Sequence, residues 1–265
     1  MPFAEVDSIE LYYEAHGNGR PLVFAHGSGG NHLSWWQQVP FFAKNYTCIT
    51  FDHRSFGLSK DSNEPLGRKG FVPDLKGLLD HLRIDGVAIL AHSMGCRTAV
   101  GLTIQHPELV KAIVLCGSNG GSVNDESRII WHTQQERRRT LPKGTIRGLS
   151  EAFMEQNPEY TFLYRQIMRM NPKHDPDFLA VSPTYRGSTH ERLSATGIPI
   201  LYIVGEDDII APPRTLEIAS SQIPQSRLIR VKDSGHSVYY EQPQLFNKEV
   251  MAFLKRFYPP LTSEL

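Results

Sequence analysis

The sequence predicts a doubly wound α/β fold, in which helices cover both faces of a mostly parallel sheet. Short apolar runs recur along the chain, and most are followed by a segment with helical periodicity. These runs are rich in β-branched residues and almost continuously apolar, which is typical of strands buried on both faces. Alternation of such strands with helices favours a parallel sheet with helical crossovers.

The elements follow in order from a β-hairpin predicted over residues 6–14, where a loosely alternating pattern contains Asp7 and Ser8. The further predicted strands are Pro21–Ala25, Tyr46–Phe51, Gly86–Ala91, Val110–Cys116, Pro199–Val204 and Ser226–Val231. The predicted helices are Leu33–Ala43, Val72–Leu82, Met94–Gln105, Arg214–Gln222 and Pro243–Phe257.

One segment, residues 119–190, interrupts this alternation. It contains aromatic and methionine side chains at helical spacing and several prolines, which indicates a mostly helical insertion, since a structureless loop of that length is uncommon. The insertion follows the strand Val110–Cys116, at the edge of the sheet where open α/β folds bind ligands. We therefore expect a core formed by residues 1–118 and 191–265, with a helical lid over 119–190.

Composition excludes several classes of protein. The 265 residues carry 28 basic and 28 acidic side chains, and this balance argues against a nucleic-acid partner. No apolar run approaches the roughly 18 residues that span a bilayer, and the N-terminus lacks the features of a signal peptide, so we expect a cytoplasmic protein. The 3 cysteines form neither a disulfide framework nor a metal-ligand spacing, so no metal site is expected.

A candidate nucleophile lies in the segment Ala91-His92-Ser93-Met94-Gly95, between a predicted strand and a predicted helix. A serine on such a tight turn presents its hydroxyl above the sheet, and the crowded turn needs small residues two positions before and after it. Ala91 replaces the first glycine of the usual G-x-S-x-G pattern. The alternative role of Ser93 is to cap the helix.

A serine hydroxyl needs a neighbouring base to become a nucleophile, and a histidine is the usual one. His236 follows the last predicted strand and therefore lies at the same end of the sheet as Ser93. An acid that orients this imidazole is expected in the segment 205–208, after the strand Pro199–Val204. Asp208 is our preferred residue and Asp207 the alternative. The chain order is then serine, acid, histidine.

Two backbone N–H groups are candidate donors to a developing oxyanion. The Met94 N–H lies at the start of the helix that follows Ser93. The Ser28 N–H lies in the glycine-rich loop 26–30, where glycines allow the backbone to turn inward. This loop does not complete either of the common phosphate-binding patterns, which argues against a nucleotide site.

Together these motifs resemble the α/β-hydrolase superfamily over nearly the full length of the chain. They are HGSGG at 26–30, DHRSFGLS at 52–59, AHSMG at 91–95, GEDDIIAPP at 205–213 and DSGH at 233–236. The resemblance implies a carbonyl-directed hydrolase without a cofactor, with a lid that selects substrate. It also favours Asp208, because the spacing Gly-x-x-Asp is similar to the pattern of this fold. Ser55 stands where the family commonly has glycine, and we expect 52–59 to be structural.

The resemblance also sorts substrate classes. Epoxide hydrolases and haloalkane dehalogenases of this fold use an aspartate nucleophile, which Ser93 contradicts. Carbon–carbon hydrolases carry Asn before the serine and Trp after the histidine, where this chain has His92 and Ser237. A histidine before the nucleophile is common in carboxylesterases and lactonases. We therefore expect a small-molecule ester or lactone substrate, cleaved through an acyl-enzyme.

Trp131 in the insertion, together with Gly27 and His92 beside the nucleophile, are the candidate substrate-binding residues. Three alternative functions stay open: a carbon–carbon hydrolase, a thioesterase, and a small-molecule receptor built on the same scaffold. A thioesterase acting on carrier-bound acyl groups would use a basic docking surface, for which Arg137–Arg139 is the one cluster available. The sequence allows either a monomer or a homodimer.

Overall fold

A computed structural model describes residues 2–61, 66–142, 145–173, 178 and 189–261. Its centre is an eight-stranded sheet in the order β1-β2-β4-β3-β5-β6-β7-β8. The first two strands pair antiparallel at one edge, and every pairing from β4 to β8 is parallel. The strands are β1 Phe3–Val6, β2 Ile9–His16, β3 Arg20–Ala25, β4 Tyr46–Phe51, β5 Val87–His92, β6 Val110–Cys116, β7 Ile200–Gly205 and β8 Ser226–Val231.

Helices cover both faces of this sheet. They are α1 Val39–Phe42, α2 Phe71–His81, α3 Met94–Gln105, α4 Asp125–Arg139, α5 Glu151–Gln156, α6 Pro158–Arg169, α7 His190–Ala195, α8 Pro213–Ser221, α9 Val238–Glu241 and α10 Pro243–Phe257. Side chains alternate along β3, so that Val23 packs in one buried cluster with α2 and α3, and Phe24 in another with α10. The doubly wound, mostly parallel α/β fold predicted from the sequence is therefore confirmed.

The predicted strands agree closely with the observed ones, and Tyr46–Phe51, Val110–Cys116 and Ser226–Val231 have the predicted bounds. The hairpin turns at Asp7 and Ser8, which adopt φ angles of 43° and 67°, as a tight turn between twisted strands requires.

The prediction of one helix over Leu33–Ala43 is wrong. The chain forms a 3₁₀ turn, His32–Trp35, and then the separate short helix α1. Asn31 caps the 3₁₀ turn through its side chain. Pro40 has no N–H to continue a helical ladder and stands in the first turn of α1, where that loss is tolerated.

The regular secondary structure in the described part of residues 119–190 is helical. Within residues 119–190 the described ranges contain α4, α5, α6 and the start of α7, and they contain no strand. Part of the predicted lid, including 179–188, lies outside the described residues. None of the helices in the described ranges is both long and apolar enough to cross a bilayer.

Candidate active site

Ser93 occupies a sharp turn between β5 and α3, with φ 50° and ψ −110°. Such a conformation costs a non-glycine residue about 1–3 kcal/mol and must be held by its surroundings. The Ser93 N–H donates to the Cys116 carbonyl at 2.9 Å. A β-carbon on Gly95 would overlap the carbonyl oxygen of Ala25, so the start of α3 packs directly on the end of β3. The turn leaves Ser93 partly exposed.

His236 and Asp208 meet at the same end of the sheet. The His236 Nδ1–H donates to Asp208 Oδ2 at 2.8 Å, and both side chains are buried. The other carboxylate oxygen of Asp208 accepts the N–H groups of Ile210 and Ala211 at 2.7 and 2.8 Å. Asp207 is exposed. Since a carboxylate only accepts, the proton of the neutral imidazole is assigned to Nδ1, and Nε2 carries the lone pair.

The Nε2 atom of His236 is buried, and no residue in the described ranges forms a hydrogen bond with it. Ser93 and His236 both adjoin the end of β6. The Ser93 N–H bonds Cys116, and a β-carbon on the next residue, Gly117, would lie 2.9 Å from His236 Nδ1. The structure therefore gathers the serine and the imidazole at one corner without closing a hydrogen bond between them, and such bonds often tighten only when substrate binds.

The glycine-rich loop after β3 lies against the nucleophile. A β-carbon on Gly27 would lie 3.1 Å from the Ser93 β-carbon and 2.6 Å from Nδ1 of His92. The Gly30 N–H closes a turn on the Gly27 carbonyl at 2.9 Å. Ser28 is exposed at the tip of this turn, and Met94 is buried at the start of α3. The two expected oxyanion donors therefore belong to segments that flank Ser93.

Two buried histidines support this loop. The His53 N–H donates to His26 Nε2 at 3.0 Å, and His26 Nδ1 lies 2.8 Å from the Gly27 carbonyl. Burial lowers the pKa of His26 to about 4, although Asp52 acts in the opposite direction. Burial also lowers the pKa of His53 well below its usual value. Both rings are therefore neutral, and His26 serves as a link between loops.

The segment 52–59 is also structural, as the sequence suggests. Asp52 is fully buried and accepts the N–H groups of His32 and Leu58 at 2.6 and 2.8 Å. The buried Arg54 guanidinium forms a two-bond pair with Asp74. Breaking a buried pair of this kind would leave an uncompensated charge. The Asp52 carboxylate links this segment to the turn at His32.

His92 lies next to His236. Its Nε2–H donates to the His236 carbonyl at 3.2 Å, and its ring centroid lies 4.7 Å from that of His236 and 4.9 Å from that of Tyr239. Burial, with a further contribution from His236, lowers the pKa of His92 well below its usual value. His92 borders a cavity of about 20 Å³ with Ser34 and Tyr164, which has room for about one water molecule.

Trp131 lies on α4 and is 47% exposed, with its ring centroid 6.5 Å from that of His132. Helix α4 contacts the loop 206–211, which carries the candidate acid Asp208 and is called the acid loop below. The Gln134 side-chain amide donates to the Ile209 carbonyl of this loop at 2.8 Å. Arg137 and Arg139 are exposed to solvent, whereas Arg138 is half-buried.

Sequence reasoning missed one residue of the site. Glu241, five positions after His236, is buried, and its carboxylate accepts the Gly235 N–H at 3.0 Å and the Ser150 hydroxyl at 2.7 Å. Burial raises the pKa of Glu241, and Asp208 contributes to the rise, whereas the Ser150 and Gly235 hydrogen bonds oppose it. No motif in the sequence marks Glu241, because its main partner in the insertion is 91 positions away.

Comparison with known proteins identifies the family of this chain. The sequence profile of the alpha/beta hydrolase fold family matches residues 20–243. A curated relative, 3-oxoadipate enol-lactonase 2 of Acinetobacter baylyi, is 26% identical over 256 residues, which cover 94% of this chain and 94% of the relative. A second relative is the 2-hydroxy-6-oxo-6-(2'-aminophenyl)hexa-2,4-dienoic acid hydrolase of Metapseudomonas resinovorans. It is 25% identical, and the alignment covers 96% of this chain and 90% of the relative.

Among solved structures, a thermophilic esterase from Thermogutta terrifontis superposes with a TM-score of 0.77 at 24% identity, covering 96% of this chain and 98% of the esterase. At that identity the likeness establishes the fold. Because the family profile spans most of the sequence, the chain belongs to the α/β-hydrolase family and is an enzyme of that family.

Proposed function

We propose that this protein is a serine hydrolase that cleaves carboxylic esters or lactones of small molecules through an acyl-enzyme. One observation carries the proposal. The His236 imidazole is held at Nδ1 by Asp208, and its Nε2 is a buried base with no hydrogen-bond partner in the described ranges, beside the strained Ser93 turn. This is the arrangement that general-base activation of a serine needs.

In the first step, Ser93 Oγ attacks the carbonyl carbon of the substrate while His236 Nε2 takes the hydroxyl proton. The resulting imidazolium is stabilised by Asp208, whose remaining oxygen is fixed by two backbone N–H groups. The oxyanion of the tetrahedral intermediate accepts hydrogen bonds from the N–H groups of Met94 and Ser28. Collapse expels the alcohol, or opens the lactone ring, and the leaving oxygen takes the proton from His236.

The second step reverses these roles. A water molecule gives a proton to His236 Nε2 and attacks the acyl carbon on Ser93, and the same N–H groups again stabilise the oxyanion. Collapse breaks the bond to Ser93 Oγ, which regains its proton from the imidazole and releases the carboxylic acid. No step requires a metal or an organic cofactor, because base, acid and oxyanion donors all come from the chain.

The substrate class rests on His92 before the nucleophile and on the relatives. One relative is named as an enol-lactonase, and a protein of similar fold is described as an esterase. We assign substrate selection to the insertion, with Trp131 and the loop at Gly27 as contact candidates. The Arg137–Arg139 cluster offers little support for a carrier protein, because Arg139 pairs with Glu136 of its own helix at 2.6 Å.

Hydrolysis of p-nitrophenyl esters from acetate to decanoate, by the wild type and by Ser93→Ala, tests this proposal. We expect turnover that is lost in the variant while its circular dichroism spectrum and Tm stay those of the wild type. The optimum chain length then measures the acyl site. Full turnover by Ser93→Ala would disprove the assignment of the nucleophile.

A folded wild type that hydrolyses no ester or lactone would overturn the proposed substrate class. The same protein should then be assayed with a 2-hydroxy-6-oxo-hexa-2,4-dienoic acid, because a curated relative is named as a hydrolase of a compound of this class. Rapid turnover of that compound would make carbon–carbon hydrolysis the function. Slow hydrolysis with tight ligand binding would favour a receptor.

A further inference from the structure

Glu241 is a buried carboxylate that the proposed mechanism does not use. It lies at the end of the short helix α9 and accepts from three donors. Its Oε2 atom receives the Ser150 hydroxyl at 2.7 Å and the Ser150 N–H at 3.2 Å. The Gly235 N–H points between the two carboxylate oxygens, at 3.0 and 3.1 Å. A buried anion is tolerated only when hydrogen bonds replace its water, and these donors do so.

The two partners of Glu241 belong to different parts of the molecule. Gly235 directly precedes His236 in the loop 232–237 after β8, which is called the base loop below. Ser150 belongs to the insertion, where its side chain caps α5 through the Phe153 N–H at 3.2 Å. The carboxylate therefore joins the backbone of the base loop to the insertion.

The backbone is closely packed at Gly235. A β-carbon on Gly235 would lie 2.7 Å from the Ser150 nitrogen and 3.0 Å from Glu241 Oε1. A second bond runs alongside, from the Ser237 N–H to the Gly148 carbonyl at 3.0 Å. On the other side, a β-carbon on Gly205 would overlap the carbonyl oxygens of Ser234 and Gly235. The base loop is thus fixed between the end of the strand that leads to Asp208 and the insertion.

We propose that Glu241 is a positioning residue, which fixes the backbone in front of His236 and makes its placement depend on Ser150 of the insertion. This inference rests on the proposed function, because it gives His236 the role of general base. A catalytic group displaced by about 1 Å can lose on the order of a hundredfold in rate, so a distant hydrogen bond can control turnover without touching substrate.

Replacement of Glu241 tests this role. Glu241→Ala leaves the Gly235 and Ser150 donors without an acceptor, and we expect kcat to fall about a hundredfold while KM changes less than about threefold. Glu241→Gln keeps one oxygen but presents an amide NH₂ to the remaining donors, so we expect a loss of about tenfold. The matched control is Glu249→Gln, since Glu249 pairs with Arg227 on the surface at 3.2 Å and should keep wild-type rates.

A purely structural role must be distinguished from positioning. Val250→Ala creates a cavity in α10, where Val250 is fully buried, and should lower Tm without touching the base loop. The rate at which a fluorophosphonate labels Ser93 reports activation of the nucleophile independently of the choice of ester. We expect slow labelling in Glu241→Ala and wild-type labelling in Val250→Ala at temperatures where both are folded.

The coupling to the insertion has its own test. Ser150→Ala removes the hydroxyl donor to Glu241, and we expect a severalfold lower kcat and labelling rate. Combined with Glu241→Ala, it should add little, because both changes remove the same hydrogen bond. Additive losses, or a change in KM alone, would show that Ser150 acts on substrate or on stability, and would overturn the coupling.

Failure of this inference and failure of the proposed function give different results. If the wild type is labelled at Ser93 and Glu241→Ala is labelled equally fast, the positioning role is overturned and the hydrolase assignment stands. If the wild type is neither labelled nor active, the function is overturned. Amide hydrogen exchange at residues 234–237 then decides the inference, with faster exchange in Glu241→Ala supporting it and unchanged exchange contradicting it.

Discussion

The strand ends that carry the proposed catalytic residues and the insertion above them are built differently. At the strand ends, backbone packs directly against backbone, at Gly95 against Ala25 and at Gly205 against Gly235. No side chain lies between these segments that could move to accommodate an added atom. The insertion is attached to the core largely through hydrogen bonds and apolar side chains, and it leaves Ile129 67% and Phe162 64% exposed. Under the proposed function, this difference separates a rigid part that would carry out the chemistry from a part that could vary with the substrate.

The largest effect is expected at the acid. Asp208→Asn keeps the size of the side chain but removes the anion that stabilises the imidazolium, and we expect kcat to fall by about 10⁴-fold. The matched control is Asp207→Asn, which changes an exposed neighbour and should keep activity. Steady-state kinetics on one p-nitrophenyl ester measures both. Equal losses in the two variants would contradict the assignment of Asp208.

Gly95 faces strand backbone, whereas Gly29 faces a side chain of the insertion. A β-carbon on Gly95 would overlap strand backbone, whereas one on Gly29 would lie 3.3 Å from the end of Met168, a side chain of the insertion that can move. We expect Gly95→Ala to cost roughly 3 kcal/mol in the free energy of unfolding and Gly29→Ala less than about 1 kcal/mol. Urea denaturation measures both, and equal costs would remove the distinction between the regions.

Lowering the pH should destabilise the fold through three buried histidines near the strand ends. Burial holds the pKa of His26 near 4 and those of His53 and His92 well below the usual 6.5. Between pH 7 and 5.5 the unfolded chain therefore takes up protons at these histidines that the folded chain does not. Stability must fall as pH falls through this window, by roughly 1 kcal/mol for each histidine between pH 7 and 5.5.

Urea denaturation at several pH values checks this. His92→Gln should reduce the pH dependence by the contribution of one histidine. A pH dependence identical in wild type and His92→Gln would mean that His92 is not held neutral by burial.

The same contrast explains how much the sequence could predict. The strands are predictable because each is a short apolar run buried on both faces, and the motifs at their carboxyl ends locate Ser93 and His236 with them. The acid is less certain from sequence, since Asp207 and Asp208 are adjacent, and only the path of the chain after β7 turns one inward.

Other features depend on contacts between distant segments. Gln38 lies between the 3₁₀ turn and α1 and bonds the Tyr239 carbonyl at 2.8 Å, and this tertiary contact accompanies a broken helix where periodicity predicts a continuous one. The role proposed for Glu241 could not be predicted from the sequence for the same reason, because its partner Ser150 is close only in the folded chain. The substrate-facing surface is the least predictable part, since it depends on how the insertion packs.

The smallest effect on stability is expected at Trp131. Because its side chain is 47% exposed, Trp131→Ala should change the free energy of unfolding by less than about 0.5 kcal/mol. If Trp131 contacts the acyl group, the variant shifts the preferred chain length of the ester series through KM, with kcat nearly constant, since the catalytic residues are held elsewhere. Ile129→Ala is the matched control on the same helix. An unchanged ester profile in both variants would assign substrate selection to another part of the insertion, whereas a fall in kcat would show that α4 helps to hold the acid loop through Gln134.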